Sequence, residues 1–283
     1  MLTIFQALIL GLLQGITELF PISSLGHTVI FPTLVGWHIN QKDPAFLAFI
    51  VVTHLATALA LLAFFWDDWW KITRGIFRSL RLRIIDPEDT FARIGWLLVV
   101  SSVPVGILGI LFEKQFSALF AVPLYAGLFL MGNGVLLYGA EFLIRNQSKH
   151  ETLDYARVAH MSWTDAVKVG LMQCLALFPG FSRTGATLAG GLLVGFSHQD
   201  AARYAFLLST PIIFAAAVLK IPELALSGES VSIAPFAVGA LAAAVGAYVS
   251  VRFLTRYFKT RTLVPFALYC LGIGALTILL LAF

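Results

Sequence analysis

Two short segments hold side chains that apolar sequence rarely tolerates. The first reads Gln14-Gly15-Ile16-Thr17-Glu18-Leu19-Phe20-Pro21-Ile22-Ser23-Ser24-Leu25-Gly26-His27, followed by Thr28. Glu18 lies four residues after Gln14, so on a helix the two share a face, with Gly11 a turn earlier and Gly15 alongside to allow close approach. A carboxylate among apolar residues is costly and has either a partner or a function. The structural reading is a hydrogen bond to a neighbouring helix. The functional one is a general acid/base or a cation ligand. Ser23 and Ser24 stand at the start of a second helix, and His27 follows about a turn later. A serine there is ordinarily an N-cap. A serine within reach of a histidine is also the minimum for an activated nucleophile, and free N–H groups at a helix start suit an anion.

The second segment, Pro179-Gly180-Phe181-Ser182-Arg183-Thr184-Gly185-Ala186-Thr187, is more specific. An arginine in apolar sequence costs at least about 2.5–3.5 kcal/mol at mid-membrane, so Arg183 needs an anion. Its planar fork fits a phosphate bidentately. Gly180, Ser182, Thr184, Gly185 and Thr187 supply backbone access and hydroxyls around another helix start. The alternative partner is internal: an Arg183–Glu18 pair holding the two segments together, which a substrate could later break into. His54 and Gln173 either line the same cavity or bond between helices. Trp66, Trp69 and Trp70 beside Asp67 and Asp68 read as an interfacial belt, and Phe112, Phe116 and Phe120 as aromatics near the outer face.

The elements that must position these residues belong to a membrane protein. Apolar residues make up 59% of the chain and charged ones 12%, where a soluble domain carries about 25% charged. Six apolar segments read as spans, at 44–66, 90–111, 121–144, 203–220, 232–254 and 263–283. Segments 3–36 and 162–196 are apolar but broken by the two polar motifs, which suits helical re-entrant hairpins. The fold class is therefore all-α and polytopic, in one membrane domain, 1–283. No basic residue precedes the first apolar run and no small-residue cleavage pattern follows it, so a removable signal peptide is not expected. Cys174 and Cys270 match no metal or redox spacing. The net charge of +4 is spread over short loops, which points to membrane topology and away from nucleic acid.

Shifting the chain by 159 positions aligns Ala7 with Ala166, Gly11 with Gly170, Gln14 with Gln173, Ser23 with Ser182, Gly26 with Gly185 and Thr28 with Thr187. The same shift pairs Thr3 with Ser162 and Gln6 with Asp165, both at capping-box spacing. Each hairpin is followed by three spans, an odd number, so the second copy is inverted: repeat one over 1–144 and repeat two over 158–283. Basic residues agree. Lys71, Arg74, Arg78, Arg81, Arg83 and Arg93, then Arg145, Lys149, Arg157, Lys168 and Arg203, then Arg252, Arg256, Lys259 and Arg261 all fall on one, cytoplasmic, side. The opposite loops hold Lys42, Lys114, Lys220, Glu223 and Glu229. Hairpin one then enters from outside and hairpin two from the cytoplasm, with their tips meeting near mid-membrane.

The stretch from Gln14 to His27 resembles the first signature of bacterial undecaprenyl-diphosphate phosphatases, the bacitracin-resistance family, and Pro179 to Thr187 resembles the second. Spacing and span pattern fit over essentially the whole chain. The resemblance implies a plasma-membrane phosphatase that converts undecaprenyl diphosphate to the monophosphate for cell-wall synthesis. It also implies a site open to the outer face and dependence on Mg²⁺ or Ca²⁺. It assigns catalytic roles to Glu18, Ser24, His27 and Arg183. Gln14 stands where the family carries Glu or Gln, which leaves one carboxylate, so a cation would be held by Glu18 and Gln14 with the substrate's phosphates. Ser23, Gln173, Gly180, Ser182, Thr184 and Thr187 complete the expected binding set. His54 and Ala56 depart from the family's Gln and Gly. The expected chemistry has Ser24 as nucleophile with His27 as base and Glu18 orienting it, or the reverse, with His27 accepting the phosphoryl group. Expected partners are the polyprenyl diphosphate and membrane lipids, with no nucleic acid; oligomeric state stays open, a homodimer included. The rival class is a lipid-phosphate flippase or anion transporter, since inverted repeats with broken helices are common among transporters.

Overall fold

A computed structural model describes residues 2–120, 122–145, 155–226 and 232–282, and among these the secondary structure is helical, without strands. In chain order the helices are α1 (Ile4–Leu19), α2 (Ser24–Leu34), α3 (Pro44–Phe64), α4 (Trp66–Leu82), α5 (Thr90–Leu111), α6 (Glu113–Phe120), α7 (Pro123–Ile144), α8 (Tyr155–Ala159), α9 (Trp163–Gln173), α10 (Arg183–Leu193), α11 (His198–Leu226), α12 (Ile233–Tyr257) and α13 (Val264–Ala282). A 3-10 turn, Cys174–Leu177, follows α9. Six of these are long and apolar enough to cross a membrane: Pro44–Phe64, Thr90–Leu111, Pro123–Ile144, His198–Lys220, Ile233–Tyr257 and Val264–Leu281. The chain is a multi-pass membrane protein. Lys149, Glu229 and the side chains of Phe120 and Glu223 lie outside the described residues.

Both broken segments form short helix pairs. At the start of α1, Thr3 N–H donates to Gln6 Oε1 at 3.0 Å and Gln6 N–H donates to Thr3 Oγ1 at 3.2 Å, a reciprocal cap that satisfies two first-turn donors. At α9 the match is partial. Asp165 N–H donates to Ser162 Oγ at 3.0 Å, but the Asp165 carboxylate accepts from that same hydroxyl at 2.7 Å. Aspartate is one methylene shorter than glutamine and engages the hydroxyl rather than the Ser162 backbone N–H.

Two boundaries differ from the sequence expectation. The first span stops at Phe64, and the basic stretch expected as a loop is the helix α4. Its Trp66 and Trp70 are more than half exposed, in keeping with a belt, but Asp68 is buried and does not belong to one. Arg203 Nη2 donates to Asp68 Oδ2 at 2.5 Å and Tyr155 OH donates to Asp68 Oδ1 at 2.7 Å. Burial, reinforced by that bond, pushes the Tyr155 hydroxyl above its ordinary range, so it remains a donor. Arg203 lies inside α11, which begins at His198, ahead of the expected 203.

Small residues set the close crossings. A Cβ on Gly11 or Gly15 of α1 would run into the backbone of α12 at Gly239 or Ala243. Gly134 and Gly274 do the same between α7 and α13, where a Cβ would run into the Ala267 and Gly127 carbonyls. Lipid offers no hydrophobic drive between helices, so such backbone approach and its dispersion contacts hold the bundle. Helix α9 packs on α5, and α10 packs on α7, α9 and α11. These contacts bring the breaks Phe20–Ser23 and Phe178–Ser182 against each other.

Candidate active site

The two tips are joined by direct bonds. Thr184 Oγ1 donates to the Glu18 carbonyl at 2.9 Å, and Ser182 Oγ donates to the Phe20 carbonyl at 3.4 Å. Gly180 takes φ +109° and lies so close to α7 that a Cβ there would strike the Ala126 carbonyl; only glycine fits this left-handed, backbone-pressed position. On the other tip Ser23 has φ +69°, an unusual conformation for a side-chain-bearing residue. Its carbonyl accepts from His27 Nδ1 at 2.6 Å, and its Oγ accepts from Gly26 N–H at 3.2 Å. These bonds aim the first turn of α2, and Ser24 with it, into the space between the tips.

That space is a cavity of about 330 Å³. Glu18, Ser23, Ser24, His54, Ser182 and Arg183 line one side. Val51, Val105, Leu177, Phe181, Ile212 and Ala216 are among the residues of an apolar wall that continues toward Lys220, which is paired with Glu113 of α6. A mostly apolar cavity with a few convergent polar groups is the usual form of a ligand site.

Glu18 is the hub. Its Oε1 accepts from Arg183 Nη2. Its Oε2 accepts from Ser24 Oγ and, at 3.0 Å, from Gln14 Nε2, and lies 3.3 Å from His54 Nε2. The internal Arg183–Glu18 pair is thus formed. It is also on the cavity wall, where an incoming anion can reach the guanidinium. Arg183 Nη1 additionally reaches the Ser209 carbonyl at 3.5 Å. Ser24 and Arg183 are the first residues of α2 and α10, so the N-terminal ends of two helix dipoles converge here.

The structure separates His27 from this group. Its Nδ1 faces the Ser23 carbonyl and must donate; in the neutral ring Nε2 then accepts, and the partner is Tyr269 OH at 2.9 Å. The two rings stack at 5.6 Å. The Ser24 hydroxyl proton points at Glu18, not at the imidazole. Of the other expected residues, Thr187 donates to the Arg183 carbonyl at 2.9 Å and Gly180 and Thr184 frame the tips. Gln173 lies apart, with Nε2 on the Ser101 carbonyl at 3.3 Å. Tyr269 and Asn133, which bonds both tips, join the site with no local sequence signal beyond an asparagine and a tyrosine in apolar spans.

Among the described residues no group of three His, Cys, Asp or Glu gathers as a metal cage. Gln14 Oε1 is buried without a hydrogen-bond partner. Gln14 turns Nε2, not Oε1, toward Glu18 Oε2, so the two residues fit a hard cation only if the amide turns over and a ligand supplies further oxygens. The constellation is a hydroxyl beside a carboxylate able to take its proton, with a guanidinium and two helix N-termini to hold negative charge. That is equipment for group transfer from an anionic substrate.

The chain is similar in sequence to known proteins along nearly its whole length. The family described as bacitracin resistance protein BacA matches residues 7–276. An undecaprenyl-diphosphatase of Mycolicibacterium paratuberculosis is 45% identical over 307 aligned residues, covering 99% of this chain and 98% of the relative. An undecaprenyl-diphosphatase of Acidiphilium cryptum is 41% identical, covering 98% of each.

Proposed function

The chain belongs to the bacitracin resistance protein BacA family, and on that premise we propose that it is an undecaprenyl-diphosphatase whose chemistry occurs at Glu18, Ser24 and Arg183. It hydrolyses undecaprenyl diphosphate to undecaprenyl phosphate and inorganic phosphate. The observation that carries the site assignment is that the Ser24 hydroxyl and the Arg183 guanidinium bind the two oxygens of one carboxylate, Glu18, on a cavity wall.

The diphosphate draws Arg183 off Glu18, and the guanidinium with the first-turn N–H groups of α2 and α10 neutralises the phosphoryl oxygens. Ser24 Oγ then attacks the terminal phosphorus while its proton passes to Glu18 Oε2. The bond from that phosphorus to the bridging oxygen breaks, and its electron pair leaves with the lipid monophosphate. Glu18 passes that proton to the departing monophosphate and is a carboxylate again; water then attacks the phosphoserine, its proton passing through Glu18 to Ser24 Oγ as the serine oxygen–phosphorus bond breaks, and phosphate departs. The prenyl chain lies along the apolar wall. His27 serves by position: with Tyr269 it fixes the Ser23 turn that aims Ser24. Tyr269→Phe should therefore lower kcat about fivefold to tenfold, the worth of one hydrogen bond, with KM within about twofold, measured by phosphate release; unchanged kcat would remove Tyr269 from the account.

A divalent cation, held by Glu18 and Gln14 Oε1 with phosphate oxygens, would add charge neutralisation when bound. Chelation should lower the rate at least about tenfold, and added Mg²⁺ or Ca²⁺ should restore it; a rate indifferent to chelator would discard the cation. The two helix pairs are read as re-entrant hairpins of an inverted repeat over 1–144 and 158–283, in a bacterial plasma membrane with the cavity open outward. Supporting this, α1 packs on α12 while α9 packs on α5, the same contact with the halves exchanged. The discriminating experiment is phosphate release from undecaprenyl diphosphate by purified protein in detergent. Metal-supported release is expected; a pure transporter releases none.

A further inference from the structure

Asn133 sits in the middle of α7, fully buried, and takes no part in the chemistry above. Its amide touches both tips at once. Nδ2 donates to the Pro21 carbonyl at 2.9 Å and toward Cys270 Sγ at 3.3 Å. Oδ1 accepts from Ser182 N–H at 3.1 Å. Pro21 begins the turn that delivers Ser24, and Ser182 immediately precedes Arg183. The nucleophile and the phosphate-holding guanidinium are therefore registered against each other through one planar group on a third helix.

The surroundings leave that group little freedom. A Cβ on Gly185 would meet Asn133 Oδ1 at 3.1 Å, and Gly180 presses on the same helix at Ala126 and Leu130. Helix α7 is thus the anvil against which tip two is set, and Asn133 carries the setting across to tip one. Both of its tip partners are backbone groups that find no helical partner there, since Pro21 lies beyond α1 and Ser182 is the N-cap of α10.

We propose that Asn133 is a positioning residue that sets the separation and orientation of Ser24 and Arg183 for phosphoryl transfer. The inference rests on the phosphatase reading, so its test has one readout that activity does not enter. Asn133→Gln keeps every donor and acceptor but moves them by one methylene; Asn133→Ala removes them. If Asn133 merely satisfies buried polar groups, glutamine restores function. If it positions the tips, kcat falls about 100-fold in Asn133→Gln, the size expected for a misplacement near 1 Å. KM stays within about threefold, and kcat is normalised to folded protein because the extra methylene in this packed site lowers the melting temperature. Spin labels at Val35, beyond α2, and Leu193, on α10, both partly exposed, report tip geometry by pulsed electron resonance. The distance distribution should shift or broaden in both variants. Wild-type kcat in Asn133→Gln, or an unchanged distribution, overturns the proposal. An inactive wild type with a shifted distribution in the variants overturns the phosphatase reading while the positioning of the tips stands.

Discussion

Arg183→Ala lowers kcat/KM for undecaprenyl diphosphate by about 10³-fold, or about 4 kcal/mol, because it removes the fixed donor that holds the phosphoryl charge. Arg183→Lys keeps the charge but not the planar fork and should lose about 10²-fold. A second effect accompanies the first. With the guanidinium gone, the buried Glu18 loses its arginine partner and keeps only Ser24, Gln14 and His54, which costs up to about 3–5 kcal/mol of stability. The two effects separate in the double variant Arg183→Met/Glu18→Gln, in which no charge is left unpaired. Its melting temperature should return toward wild type while activity stays lost. Recovery of activity in that variant would mean the pair is a structural clasp only, and would remove both Arg183 and Glu18 from the chemistry.

Ser24→Ala should reduce kcat by about 10⁴-fold or more, since the hydroxyl is the attacking group and its loss leaves only binding and electrostatic terms. Glu18→Gln preserves shape but cannot take a proton, and should lose about 10²–10⁴-fold. The residues act as one unit, so the double variant should be no slower than Ser24→Ala alone. His27→Gln should cost far less than either, about tenfold, because the imidazole bonds the Ser23 carbonyl and Tyr269 rather than Ser24. If instead His27→Gln proves as slow as Ser24→Ala, the division between chemistry at Glu18 and positioning at His27 fails. Steady-state phosphate release with each variant, normalised to folded protein, makes the comparison.

The sequence read best where its pattern was local. Runs of apolar residues mark the six spans because lipid demands about 20 of them in a row. Pro21 and Pro179 mark the two breaks because proline removes a donor from a helix that has none to spare. The reading of Arg183 as needing an anion came from the cost of a charge in apolar sequence, and Glu18 is its partner. What local pattern could not carry was pairing across long separations. Tyr269 reaches His27 over 242 positions, and Asn133 reaches Pro21 over 112. The closeness of Ser24 and His27 in sequence suggested a bond between them, but the left-handed turn at Ser23 sends the imidazole to a backbone carbonyl and the hydroxyl to Glu18. Asp68 misled for the same reason. Among tryptophans at a membrane edge it reads as a solvated belt residue, and its partners Arg203 and Tyr155 lie on distant helices.

Which atom receives the phosphoryl group decides between Ser24 and His27 as nucleophile. Purified protein should be mixed with undecaprenyl diphosphate labelled in its terminal phosphate, quenched within a turnover, digested under conditions that preserve both phosphoserine and phosphohistidine, and the labelled peptide sequenced. The label should lie on Ser24, should accumulate when hydrolysis of the intermediate is slowed, and should vanish in Ser24→Ala. Label on His27, or full turnover by Ser24→Ala with no covalent species, would contradict Ser24 as the nucleophile.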